Sequence, residues 1–352
     1  MATPIHPPMF TAELPGCGGF IKKQPEDFEV EELPAYEPSG QGDHLFLWIE
    51  KRGMGAQFFE RQIAQRLAIH PSEIGVAGLK DRHAITRQWV SVPVSAEPKL
   101  PQLDGDSIRL LKASRHTNKL RSGHLRGNRF RILIRDADPS AASSVEQIVE
   151  RIQRQGMRNF YGPQRFGHDG ETSDMGMRLL RGESLPRRIN PFLKKLALSA
   201  AQSWLFNDYL SRRLNDGLMR TVLAGDVMAK WPAGGMFVAE DREREQVRFD
   251  ARETVHAGPI FGRKTFPAAA EAAEREAAVL SDAGLTVQSF SGFGKLVMGT
   301  RRHNLIYIDD LTATWEPEGL RLNFSLPAGS YATILLREMM KTEVGSEEDT
   351  EK

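Results

Sequence analysis

The sequence predicts a two-domain protein of the α+β class, and three observations carry that expectation. Its 352 residues exceed what one hydrophobic core usually organises. Strand-like segments crowd the region before Arg135, and helix-like segments follow it. Strand-like segments return after Arg302, so the C-terminal residues are expected to rejoin the sheet of the first domain.

Each element follows from local pattern. Phe28-Glu29-Val30-Glu31-Glu32-Leu33 alternates and reads as a strand; Leu45 to Ile49 is a continuous apolar run and reads as a more buried one. From Ala56 to Ile69, Phe59, Ile63 and Leu67 recur every fourth residue as one helical stripe, and Pro71 stops it. Gln88 to Val94, Ile108 to Leu111 and Phe130 to Ile134 are further strands, with a loop from Pro98 to Gly105. In Arg129-Phe130-Arg131-Ile132 the alternation sends both arginines to one side. Ser144 to Ile152 reads as a helix, and the Gly-, Pro- and Arg-rich stretch from Asn159 to Gly170 marks a boundary. Helices are expected over Pro191 to Leu214 and Ala268 to Ala283, strands over Leu305 to Ile308 and Leu320 to Leu326, and a short helix from about Ala332. The predicted division is 1–155 with 305–352 for a discontinuous first domain and 156–304 for an insertion. Residues 343–352 form an acidic tail expected to be solvated and disordered.

Composition excludes several classes. With 40% apolar and 26% charged residues the chain matches folded globular usage rather than disorder. No apolar run approaches the ~18 residues of a membrane span, and residues 1–19 lack a cationic segment leading into an apolar one, so a cytoplasmic address is expected. Cys17 is the only cysteine, which rules out an intrachain disulfide or a cysteine zinc cage. The net charge of +1 hides local clustering: from Arg109 to Arg135 the chain carries Lys and Arg but no Asp or Glu.

That basic stretch is the residue-level clue to function. Arg115, Lys119, Arg121, Arg126 and Arg129 are candidates to meet phosphates, and the interleaved His116, His124 and Phe130 can stack on or hydrogen-bond to unpaired bases. Asp81 is a lone loop carboxylate between Lys80 and Arg82, cationic neighbours that favour its ionised form, as a nucleophile or base requires. A loop aspartate is more often a turn or cap residue. Asn159 to Gly167 concentrates aromatics and glycines and reads first as a packed elbow, second as a wall facing RNA. Ser289 to Lys295 fails as a P-loop, with Ser289 in place of the first glycine and Leu296 in place of the magnesium-binding hydroxyl. No cofactor or metal signature is present, and no carboxylate cluster has convincing ligand spacing for a metal-dependent nuclease.

Several separated blocks resemble the TruD family of tRNA pseudouridine synthases: Lys22 with Pro25-Glu26-Asp27-Phe28, Gly78-Leu79-Lys80-Asp81-Arg82-His83-Ala84, Gly127-Asn128-Arg129-Phe130, Asn159 to Gly167, and Leu326-Pro327-Ala328-Gly329-Ser330-Tyr331-Ala332-Thr333. They follow the family's order across nearly the whole chain. The resemblance implies a pseudouridine synthase catalytic domain with a mixed, largely antiparallel sheet, interrupted by an inserted α/β domain. It implies a cofactor-free isomerase acting on uridine 13 of tRNA. No obligatory protein partner is inferred, and a monomer is expected. Asp81 matches the catalytic aspartate and Lys22 a basic residue that can pair with it. Phe28, Asn128 and Tyr331 match substrate-contacting positions, Tyr331 standing where phenylalanine is usual, and Phe130 lies close enough to help line the pocket. A non-catalytic RNA-binding protein on the same scaffold is the alternative.

Overall fold

Alternation at the start of the chain becomes strand where the pattern predicts it. In the computed structural model, which describes residues 4–185 and 188–342, β1 (Phe28–Pro34) buries Phe28 and Val30 and leaves Glu29 and Glu31 partly exposed. The 343–352 tail lies outside the described residues. β2 (His44–Arg52) is followed by α1 (Ala56–Leu67), β3 (Gly75–Val76), β4 (Ile85–Pro93), β5 (Ile108–His116), β6 (Leu125–Arg135), α2 (Ala142–Gln155) and β7 (Met157–Arg158). The expected loop over Pro98 to Gly105 is in large part the end of a nine-residue 3-10 segment, Val94–Gln102, which holds Pro98 and Pro101.

The chain continues through α3 (Glu171–Leu180), α4 (Pro191–Asn215), β8 (Val227–Lys230), β9 (Met236–Val238), α5 (Arg242–Asp250), β10 (Thr254–Ile260), α6 (Ala270–Asp282), β11 (Thr300–His303) and β12 (Leu305–Ile306). It closes with β13 (Thr312–Glu316), β14 (Gly319–Pro327) and α7 (Ala332–Met340). The start of α4 is written in sequence: Asn190 accepts a hydrogen bond from the Leu193 N–H at 2.7 Å, and Pro191 occupies the first turn, where its missing N–H costs nothing.

Two compact units result. One comprises Pro15–Glu150 and Ile308–Ala332 with the residues from Met339; the other comprises Arg151–Tyr307 with the residues up to Leu14 and Thr333–Glu338. The first holds an eight-stranded sheet ordered β13-β14-β6-β1-β4-β2-β5, with β3 on β4. Only β1 and β4 run parallel; every other pairing is antiparallel. The helical stripe performs as its spacing requires: Phe59, Ile63 and Leu67 of α1 pack with Leu45, Leu47, Ile49, Val90 and Val92 of the sheet. β14 joins the large sheet beside β6, but Leu305–Ile306 does not. It pairs with Met157–Arg158 in the other unit, so only the chain beyond it returns to the first sheet.

The second unit combines helices with an antiparallel sheet ordered β11-β10-β8-β9. Its core holds a buried ion pair in which Arg213 binds both oxygens of Asp226 at 2.7 Å. Beside it His256 is fully buried, stacked on Phe249 with centroids 5.1 Å apart. Its Nε2–H donates to the Met219 carbonyl at 3.1 Å and its Nδ1 accepts from Asn304 Nδ2 at 2.8 Å, so the neutral ring is satisfied on both nitrogens. Burial, reinforced by the Arg213 guanidinium, lowers its pKa from 6.5 to about 3.

Truncating Ile63 to alanine removes a fully buried side chain and should cost about 2–5 kcal/mol in denaturant unfolding of the first unit. Above pH 6.5 His256 is neutral in folded and unfolded chains alike; from there down to about pH 3 only the unfolded chain binds its proton. Stability should therefore fall on acidification by up to ~1.4 kcal/mol per pH unit from this residue. His256→Gln should flatten the pH dependence of the unfolding midpoint in that window, and an unchanged slope would rule this origin out.

Candidate active site

The loop from Gly78 to Ala84 leaves β3 and delivers the chain to the start of β4. Neighbouring side chains hold it from two directions. Lys51 of β2, opposite Thr86 of β4 and 1% exposed, donates to the carbonyls of Met54 at 2.5 Å, Asp81 at 3.1 Å and Lys80 at 3.4 Å. Lys80 turns inward and donates to Glu32 Oε2 of β1 at 2.7 Å, both side chains being buried. The other Glu32 oxygen accepts the Trp89 N–H of β4 at 3.4 Å. Lys80, a cationic neighbour of Asp81 in the sequence, commits its ammonium to Glu32, while Arg82 and His83 are exposed.

The partner of Asp81 is Lys22. Their Nζ–Oδ1 distance is 3.0 Å, with 26% of the lysine and 38% of the aspartate side chain exposed, so the pair is reachable from solvent. Lys22 has φ +62°, a left-handed conformation unusual for a non-glycine residue, and its ammonium stands 4.6 Å from the centroid of Phe28. Behind it the chain is fastened by Asp27, whose carboxylate binds the Arg135 guanidinium through both oxygens at 2.7 and 2.8 Å. Burial alone would raise the Asp27 pKa, but the hydrogen bonds and charge of Arg135 hold it below the ordinary value.

Strand parity then separates two faces of the sheet. Phe28 meets Phe130 edge-on at 6.3 Å, and Phe130 stacks on Phe324 of β14 at 5.1 Å. Asn128, two residues from Phe130 and so on the same side, lies across from Glu32 and Leu326. Its Oδ1 is buried with no hydrogen-bond partner among the described residues. Gly127 is needed here because a Cβ would lie 2.1 Å from the Leu326 carbonyl oxygen. Tyr331, partly buried, follows the turn that starts at Pro327, the partner of Gly127.

Arg129 and Arg131 share one side as their alternation predicts, but it is the opposite side from Asn128 and Phe130. There Arg129 pairs with Glu31 and Arg131 with Glu29, each at 3.2 Å, and Glu29 also meets Arg87. Arg115 pairs with Glu97 at 2.6 Å. Lys119 donates to the Ser72 carbonyl at 2.5 Å, whereas Arg121 and Arg126 are exposed and in no ion pair among the described residues. His116 and His124 are engaged by Tyr36, the first stacked on its ring at 5.2 Å, the second hydrogen-bonded to its hydroxyl at 2.8 Å. The Asn159 to Gly167 block belongs to the other unit and behaves as the packed elbow: Phe160 and Phe166 are buried, and Arg165 donates to Ser199 and Ser203.

Lys51 and Glu32 escaped the sequence reading although a signal existed. Leu45, Leu47, Ile49 and Lys51 share one parity in β2, as do Phe28, Val30 and Glu32 in β1, so each charge stands at an inward position.

Comparison with known proteins agrees with this architecture. The sequence model of the family described as tRNA pseudouridine synthase D (TruD) matches residues 5–185 and 183–339. The tRNA pseudouridine synthase D of Anaeromyxobacter dehalogenans is 42% identical over 98% of this chain and 99% of its own length. That of Thermus thermophilus is 43% identical over 97% and 94% respectively. A crystal structure from Methanosarcina mazei described as a putative tRNA pseudouridine synthase D has the same fold, with a TM-score of 0.78, 22% identity and 97% of each chain covered. Fold and full-length similarity together define an isomerase of the pseudouridine synthase class. The chain belongs to the tRNA pseudouridine synthase D (TruD) family.

Replacing Lys51 by methionine should loosen the Asp81 loop from below. Amide exchange across 78–84 should rise about tenfold or more, equivalent to ~1.4 kcal/mol, while protection at Ile132 stays unchanged. Equal protection in both proteins would show that the loop does not depend on this ammonium.

Proposed function

We propose that this chain converts uridine 13 of tRNA to pseudouridine, with Asp81 as the catalytic carboxylate. The observation that carries the reading is the solvent-reachable Asp81–Lys22 pair at 3.0 Å against the ring of Phe28. Isomerisation breaks the ribose C1′–N1 bond, turns the uracil and joins C1′ to C5. C5 loses a proton and N1 gains one, so the balance needs neither oxidant nor group donor. A carboxylate serves this chemistry as a nucleophile at C1′ or as the base that takes a ribose proton.

The target uridine must leave its stack to reach such a group. Phe28 and Phe130 offer an apolar wall, and Tyr331 an aromatic ring with a hydroxyl. The unpartnered Asn128 Oδ1 is suited to accept the uracil N3–H. Lys22 orients Asp81 and offsets its charge. In this reading the Pro15–Glu150 and Ile308–Ala332 segments are the catalytic half and Arg151–Tyr307 the inserted half. Arg121 and Arg126 are the best placed of the basic candidates to meet tRNA phosphates; Arg115, Lys119 and Arg129 must exchange an internal partner to do so. The chain acts as a monomer in the cytoplasm; among its described residues no helix is long and apolar enough to cross a membrane.

The test is a position-resolved pseudouridine map of tRNA from a deletion strain complemented with wild type or Asp81→Asn. The variant should bind tRNA normally and lose at least about a thousandfold in kcat, leaving uridine at position 13. Full modification by Asp81→Asn would overturn the assignment of Asp81 as the catalytic group.

A further inference from the structure

Three segments of the Arg151–Tyr307 unit that carry no Asp or Glu come together around the start of α4. They are residues 188–207, 257–270 and 283–307. Lys194 of α4 stands 5.3 Å from the centroid of Phe293, which lies in the 3-10 segment Val287–Val297. The end of that segment is tied to the 257–270 stretch: Arg263 N–H donates to the Val297 carbonyl at 3.1 Å and Lys264 N–H to the Met298 carbonyl at 2.6 Å. Ser289 to Lys295, the stretch that fails as a P-loop, therefore lies within this assembly.

The surface it presents is unusual in two ways. Phe192 is 75% exposed, and Leu196, Phe266 and Leu296 are exposed as well, large apolar groups that gain nothing from water. Among them stand Lys194, Lys195, Arg263, Lys264 and Lys295, none of which is in an ion pair among the described residues. Helix stability does not account for Lys194 and Lys195, because cations near a helix start oppose its dipole. Elsewhere in this protein many arginines are matched by carboxylates across strands or helix turns; here cations accumulate unmatched.

We propose that this surface is an RNA-docking platform, on which lysines and arginines meet phosphates while Phe192 and Phe293 stack against unpaired bases. The occupant follows from complementarity: unpaired cations interleaved with aromatic rings suit a polyanion carrying exposed π-faces. A protein partner suited to the same cations would need an acidic surface and would leave the aromatic rings without a distinct role. The platform rests on the tRNA reading above and adds a second region that meets RNA, in the unit that does not contain Asp81.

The experiment compares wild type with Lys194→Ala/Lys195→Ala/Lys295→Ala, the same three positions changed to arginine, and Phe192→Ala, each checked for an unaltered unfolding midpoint. Affinity for unmodified tRNA is measured across a salt series, and kcat and KM for pseudouridine formation are determined. The alanine triple should raise KM about tenfold or more with kcat unchanged. It should also flatten the slope of log affinity against log salt by about 0.7–0.9 for each phosphate that is no longer neutralised. The arginine triple should keep the wild-type slope, and Phe192→Ala should raise KM about tenfold while leaving the slope alone. Unchanged KM and slope in the alanine triple and in Phe192→Ala would overturn the platform. So would a triple whose only change is in self-association by sedimentation, which would mark an interface between copies. Wild type that forms no pseudouridine in tRNA would instead defeat the reading of function on which the platform rests.

Discussion

A buried ammonium held by three backbone carbonyls is an uncommon arrangement, and Lys51 provides one. Burying a charge is costly unless hydrogen bonds replace the lost water, and here the carbonyls of Met54, Lys80 and Asp81 supply them. That demand shapes the chain around it: the loop before β4 must curl so that successive carbonyls point at one nitrogen. The buried Lys80–Glu32 pair applies the same logic one residue away. Between them they fix the backbone on both sides of the Asp81 Cα, leaving its side chain to meet Lys22 at the edge of solvent.

The eight-stranded sheet turns this local order into a surface with two characters. Because neighbouring residues of a strand point to opposite sides, Phe28, Asn128 and Phe130 gather on one face while Glu29, Glu31, Arg129 and Arg131 form a charge ladder on the other. The ladder is partly exposed, and its individual pairs contribute little to stability. It also gives Arg129, which along the chain reads as a phosphate ligand, a carboxylate partner within the sheet.

Much of this is visible in the residues. The α1 stripe, the α4 cap and the β1 alternation rest on short-range rules, and the structure follows them. The Asp81 block is recognisable only beside the other family blocks, since one loop carboxylate is weak evidence of chemistry. Counted along the chain, the basic stretch is unopposed from Arg109 to Arg135. In space its carboxylates arrive from other elements: Glu97, Glu31, Glu29 and Asp27. Leu305–Ile306 has the composition of a strand, yet composition does not say which sheet it joins.

The α1 stripe, the β1 alternation, the α4 start, the absence of an intrachain disulfide and the family were determined by sequence alone, because each depends on residues close in the chain or on blocks in a set order. Which lysine reaches Asp81, which arginines are neutralised, and where exposed aromatics meet unmatched cations were decided by tertiary structure. Electrostatic and packing energies fall off over a few ångströms of space, and the partners concerned stand tens of residues apart in the chain, as Lys22 and Asp81 do.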